Sequence, residues 1–288
     1  MPNNKVKLIE CPRDAMQGIK DFIPTEKKIQ YIQSLLRVGF DTIDFGSFVS
    51  PKAIPQMADT AEVLSGLDLS KTTSKLLAII ANTRGAQDAS IYKEIDYLGF
   101  PFSISENFQM RNTHKTIAQS VVTLNEILEI ANTCNKEVVV YISMGFGNPY
   151  GDPWDVEIVG EWTEKLYSMG VKILSLSDTI GSSTPETIDY LFSNLIPKYP
   201  DIEFGAHLHT TLTTWFEKVD AAYNAGCKRF DGAIQGFGGC PMAKDELTGN
   251  MPTEKLLSYF TSKQCNPLNA FSFESAHNEA TKIFTKYF

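Results

Sequence analysis

Two of the chain's four histidines stand one residue apart, in Ala206-His207-Leu208-His209, at the end of a run (Ile202, Phe204, Ala206) that alternates like a strand. In a strand, side chains two apart share a face about 6–7 Å apart at the backbone, so both imidazoles can converge on one ion. Two histidines alone are not a site, because a solvated pair at a strand end has the same spacing. Asp14 would complete an N2O ligand set that leaves positions open on a hexacoordinate ion for a chelating substrate, and Asn250 could add a further oxygen. Imidazole and carboxylate together suit Mg²⁺, Mn²⁺, Co²⁺ or Zn²⁺, so ligand type does not select the metal. Asp14 also fits a turn or a helix cap before Gly18.

Arg13 adjoins Asp14, and a guanidinium fixed at the same rim would stabilise an enolate or carbonyl oxygen as charge develops; a surface ion pair is the alternative. Cys240 lies in Gly236-Phe-Gly-Gly-Cys-Pro241, a glycine-rich loop able to close over a ligand. Its thiol, with an ordinary pKa near 8.5, could exchange a proton with carbon or oxygen, although a lone cysteine is more often buried and inert.

The elements that would position these groups alternate. Strands are expected at Lys7–Cys11, Thr42–Phe48, Leu76–Asn82, Tyr97–Ser103, Val138–Met144, Ile173–Ser177, Ile202–His209 and Arg229–Ile234. Helical periods fall at Thr25–Val38, Thr113–Cys134, Val156–Met169, Pro185–Ile196 and Thr213–Ala225. The third and fourth units, around Arg84–Ile95 and Tyr97–Ser103, carry the weakest pattern. Eight strand–helix alternations favour a (β/α)8 barrel of the TIM type over a doubly wound sheet, and no glycine-rich fingerprint follows the first strand. The expected organisation is one barrel domain over residues 5–288. In such barrels chemistry collects at the C-terminal strand ends, where Arg13-Asp14, Ser177-Asp178-Thr179 and His207/His209 fall.

Composition excludes several classes of function. A net charge of −8 disfavours nucleic acid or an anionic membrane as partner. Five scattered cysteines without a C-x-x-C pair argue against a disulfide framework or zinc ribbon and read as free thiols of a reducing cytosol. No run approaches the roughly 18 apolar residues of a membrane span, and Met-Pro-Asn-Asn-Lys lacks a signal core, so a soluble cytoplasmic protein is expected.

Several motifs occur in order between about Lys5 and Leu257: Glu10-Cys-Pro-Arg-Asp-Ala-Met-Gln17, Ser47-Phe-Val-Ser-Pro-Lys52 with Pro55-Gln-Met57, Ser177-Asp-Thr-Ile-Gly181, His207-x-His209, and Gly238-Gly-Cys-Pro241 with Gly249-Asn250. Together they closely resemble the 3-hydroxy-3-methylglutaryl-CoA lyase family. The resemblance implies a (β/α)8 barrel that cleaves an acyl-CoA to acetoacetate and acetyl-CoA with a divalent metal, Mg²⁺ or Mn²⁺ ahead of Co²⁺ or Zn²⁺, and a homodimer. It implies that Asp14, His207 and His209 bind the metal with Asn250 close by, that Arg13 stabilises the enolate, and that Cys240 transfers a proton. Asp178 is counted with these catalytic groups, and Gln17, Tyr141, Ser175 and Thr179 match positions that line the family's substrate site.

The chain departs from the family at Ala15 for glycine, Asp44 for glutamate and Thr210 for aspartate, and in two acids, Asp245 and Glu246, added to the Cys240 loop. The ligand and proton-transfer residues survive while their surroundings change. Two rival readings are a Claisen-type synthase or 2-oxoacid aldolase on the same barrel, and a barrel that keeps the metal without turnover. The synthase is disfavoured by the short stretch of 38 residues after Asn250, and the metal-only barrel by the survival of Arg13 and Cys240 beside the ligands.

Overall fold

The computed structural model describes residues 5–239 and 248–287. The chain runs β1 (Lys7–Glu10), α1 (Pro12–Gln17), α2 (Thr25–Leu35), β2 (Thr42–Ser47), α3 (Thr60–Ser65), β3 (Lys75–Ile79), α4 (Thr83–Ser90), β4 (Tyr97–Ser103), α5 (Glu106–Thr113), α6 (Ile117–Thr133) and β5 (Glu137–Ser143). It continues with α7 (Val156–Ser168), β6 (Ile173–Ser177), α8 (Pro185–Lys198), β7 (Glu203–His207), β8 (His209–Thr210), α9 (Trp215–Asn224), β9 (Arg229–Gly232), β10 (Gly249–Asn250), α10 (Thr253–Ser262) and α11 (Ala270–Tyr287). Strands β1 to β7 and β9 close a parallel barrel in that order, with β9 pairing β1. The (β/α)8 expectation holds.

The expected strand at Ile202–His209 breaks. β7 stops at His207, which pairs Ser177 of β6, and His209 instead pairs Asn250 in an antiparallel ribbon of β8 and β10. Leu208 is the corner, its carbonyl accepting from Met251 N–H at 3.2 Å. The helix expected at Thr113–Cys134 is α6, which starts four residues later because a separate helix, α5, ends at Thr113. His114 takes φ 56° at the end of α5, and Thr116 caps α6 in a reciprocal box with Gln119. Helices outside the expected segments are α1, which begins at Pro12 one residue beyond β1, the short α3 and α5, and α10 and α11. α11 lies against α2 through an edge-to-face contact of Phe284 on Tyr31, centroids 6.0 Å apart.

Buried polar groups tie the barrel's closure. Glu10 ends β1 fully buried, and its carboxylate accepts from Ile234 N–H at 2.9 Å and the Thr253 hydroxyl at 2.6 Å, joining the first strand to the chain beyond the last. Burial pushes its pKa up from 4.5 to about 8, outweighing the two hydrogen bonds, while Glu254 adds to the rise. A carboxyl raised in the folded state contributes stability that is full below its unfolded value and lost as pH rises through the folded value. Glu10→Gln is therefore expected to flatten the fall in melting temperature between pH 5 and about 9 relative to the parent chain. Parallel melting curves of the two proteins across that range would show that Glu10 does not govern it.

Candidate active site

Pro12, rigid and lacking an N–H, starts α1 immediately after β1, so Arg13 and Asp14 fall in the helix's first turn at the mouth of the barrel. Asp14 is held from three sides. Its Oδ1 accepts from Arg13 Nη1 at 2.9 Å and Gln17 Nε2 at 2.6 Å, and its Oδ2 from Asn250 Nδ2 at 2.7 Å. Burial alone would raise its pKa, but Arg13, His207 and Asn250 together outweigh this and hold it below the usual carboxylate range.

The corner at Leu208 keeps the two imidazoles together, with centroids 5.5 Å apart. Asp14, His207 and His209 each offer a ligand atom within 4.8 Å of the others. His207 is oriented from beneath, its Nδ1 lying 3.0 Å from Asp231 Oδ2 on β9, which leaves Nε2 as the nitrogen that could meet an ion. Burial, reinforced by the charge of His207, lowers the His209 pKa to about 4, so that ring is neutral and its lone pair is available near neutral pH. The donor set, one carboxylate and two imidazoles with a polar outer shell, fits a divalent ion.

Arg13 is clamped. Its Nε lies 3.0 Å from Asp44 Oδ2 and its Nη2 also donates to Asp44, while Nη1 faces Asp14. The shorter acid at this position therefore reaches the guanidinium from β2, and the two carboxylates raise the Arg13 pKa above its ordinary value against the effect of burial. A pocket opens above the trio. Arg13, Gln17, Tyr141 and Thr179 line it, and Tyr141 stands edge-on to His207 at 5.7 Å. Its outer wall is apolar, formed by Val49 and Ile54 after β2 and by Phe108 on α5.

Two expected residues lie elsewhere. Ser175 is fully buried inside the barrel with Oγ 3.4 Å from Asp231, and Ser177 and Ser143 line the pocket in its place. Asp178 points away from the pocket, its carboxylate bonded to the Ser183 hydroxyl at 2.5 Å and to Lys218 Nζ at 2.7 Å. The physical reason is alternation: Ser177 and Asp178 are consecutive, so they cannot both face inward. Cys240 lies outside the described residues. The chain leading to it does touch the site, since a Cβ at Gly238 (φ +92°) would meet the Asp14 carbonyl oxygen at 2.7 Å and Asn250 Nδ2 at 2.8 Å.

Lys218 of α9 was not anticipated. Its buried ammonium donates to Asp178, to the Gly181 carbonyl at 3.0 Å and to the His209 carbonyl at 3.0 Å, strapping the loop after β6 to His209. All three of its donors are used. Lys218→Met is expected to lower affinity for Mn²⁺ at least about tenfold, as loss of outer-shell support does. It should also cost on the order of 3 kcal/mol by stranding the Asp178 charge. Calorimetric titration beside a melting curve separates the effects, and lost stability with unchanged Mn²⁺ affinity would leave the lysine purely structural.

A barrel with a carboxylate and two imidazoles converging at its mouth, beside a clamped arginine, has the construction of a metal-assisted lyase or aldolase. The HMGL-like family model matches residues 5–276, and the chain belongs to that family. Mitochondrial hydroxymethylglutaryl-CoA lyase of Bos taurus is 35% identical over 256 residues, covering 88% of this chain and 77% of the relative. The Bacillus subtilis lyase YngG is 33% identical over 246 residues, covering 85% and 81%. Among solved structures, the Bacillus subtilis HMG-CoA lyase superposes with TM-score 0.90 at 31% identity over 98% of this chain and 95% of that one. An Acinetobacter baumannii HMG-CoA lyase in complex with coenzyme A and 3-methylmalate gives TM-score 0.89 at 28% identity over 98% and 92%. No helix among the described residues is long and apolar enough to cross a membrane.

Proposed function

We propose that the chain cleaves 3-hydroxy-3-methylglutaryl-CoA, or a close analogue, to acetoacetate and acetyl-CoA, with residues 5–288 acting as one catalytic unit. The observation that carries this reading is the convergence of Asp14, His207 and His209 below a pocket whose floor also presents Arg13. When bound, a divalent ion supplies the Lewis acidity that makes the substrate's C3 hydroxyl acidic, with Mg²⁺ or Mn²⁺ preferred to Co²⁺ or Zn²⁺. Arg13, held by Asp44, stands where charge develops on the thioester oxygen as the C–C bond breaks. Gln17 braces Asp14, and Thr179, whose Oγ1 accepts from Met144 N–H at 2.8 Å, keeps its O–H to donate into the pocket. Cys240 is assigned the proton transfer and Asp178 the support of His209 through Lys218.

The test is an assay of the purified chain with 3-hydroxy-3-methylglutaryl-CoA and Mg²⁺ or Mn²⁺, reading acetyl-CoA release. Release that stops on chelation and returns with metal is expected. Condensation of acetyl-CoA with a 2-oxoacid, in the absence of cleavage, would instead make it a synthase. Unaltered cleavage after chelation would remove the metal from the scheme.

A further inference from the structure

Beneath the pocket, a polar cluster shares His207 with the trio and adds two groups, Cys11 and Asp231, that take no proton or ligand role in this chemistry. Cys11, between β1 and α1, is a free thiol 1% exposed, and its N–H bonds to Gly232 O at 2.8 Å, beside Asp231 on β9. Cys11, His207 and Asp231 each offer a ligand atom, all within 4.8 Å of one another. Independently, Asp231 is 2% exposed and its Oδ1 meets no protein donor, while Oδ2 serves His207 and, weakly, Ser175. An acceptor buried without a donor is costly, and a cation is the partner that would satisfy it.

We propose that Cys11, His207 and Asp231 form an inner metal site for thiophilic divalent ions such as Cd²⁺ or Zn²⁺, competing with the Asp14 trio for His207.

The chemistry separates the two trios. The outer one presents a carboxylate and imidazoles and accepts hard or borderline ions, whereas the inner one adds a thiolate, which Mg²⁺ and Mn²⁺ do not seek. Burial and the charges of Asp231, Asp44 and Asp14 hold the thiol protonated against the one opposing influence of Arg13. The negative charge of Asp231, Asp44 and Asp14, offset only in part by Arg13 and by the buried Arg229 that faces Asp231, attracts a cation, which on binding displaces the Cys11 proton to solvent, one per ion. His207 enforces the competition. A neutral imidazole has one lone pair, so ligation through the Asp231-facing Nδ1 moves the ring proton to Nε2 and withdraws His207 from the outer trio.

The existence of the inner site is independent of the lyase reading, and only its effect on turnover rests on that reading. The experiment adds Cd²⁺ to the metal-free full chain carrying Cys240→Ser, so that the thiol of the loop cannot contribute, and follows thiolate-to-cadmium charge-transfer absorption. A saturable band is expected, absent when Cys11→Ser is added, and Cd²⁺ should release Mn²⁺ seen by electron paramagnetic resonance. Mn²⁺ affinity within about threefold of the parent in Cys11→Ser would show that this variant is folded with its outer trio intact. Persistence of the band without Cys11, or Cd²⁺ that binds without releasing Mn²⁺, would overturn the proposal. A Cys11-dependent band in a chain that never binds Mn²⁺ would uphold the inner site and sink the metal-dependent lyase reading.

Discussion

His209→Ala is expected to eliminate measurable Mn²⁺ binding and turnover while leaving the barrel folded. The trio offers three ligands, and losing one should weaken the ion by more than the 10–100-fold typical of outer-shell changes. His209 is well suited as a ligand because burial keeps it neutral, with a pKa near 4, so little proton competition offsets the metal at pH 7. The fold should survive, since the ring lies at the mouth and its backbone contacts, the Lys218 strap and the pairing with Asn250, do not involve the imidazole. A melting temperature within a few degrees of the parent, beside absent Mn²⁺ binding, is the expected pair of results. Full activity of the variant in metal-stripped buffer would refute the site.

Arg13→Gln should lower turnover at least about a hundredfold with a modest change in KM, as expected for a donor used mainly in the transition state. The clamp complicates the measurement. Asp44 is fully buried and both of its oxygens face Arg13, so removing the guanidinium strands a carboxylate at a cost of about 3–5 kcal/mol. The double variant Arg13→Gln with Asp44→Asn removes both charges and should regain most of the stability while turnover stays low. If the double variant regains turnover as well, Arg13 serves only to balance Asp44. A loss confined to KM would make it an anchor for the substrate's anionic groups.

The barrel was legible because β-branched runs alternate with helical periods at all but the third and fourth units, and β4 and β6 match their expected bounds. The corner at Leu208 was not. Nothing local distinguishes Ile202–His209 from a continuous strand, and the break is imposed by Met251 and Asn250 arriving from forty residues on. The trio, Arg13 and Gln17 were legible from residue type and motif. Asp178 was misplaced because a motif marks a position in the chain and not the direction of its side chain, whereas alternation from Ser175 would have put Ser177 on the pocket wall. Asp231 stood in the same phase as Arg229 on an expected strand and could have been found that way. Lys218 could not, since a lysine on an amphipathic helix reads as solvated until α9 is packed over the β6 loop.

The hydrogen bond from Asn250 to Asp14 spans 236 residues, and β1 is completed on one side only by β9. A chain synthesised at roughly 5–20 residues per second holds its first strand for tens of seconds before that neighbour exists. For most of that interval Asp14 has none of its partners from β7, β8 or β10, so an ion cannot template the early stages of folding. It can only reward the finished ring, by an amount set by its concentration over its dissociation constant. Bound metal should therefore slow hydrogen exchange across all eight barrel strands together, including those far from the mouth, because any opening that separates the first strand from the last dissolves the ion's coordination shell.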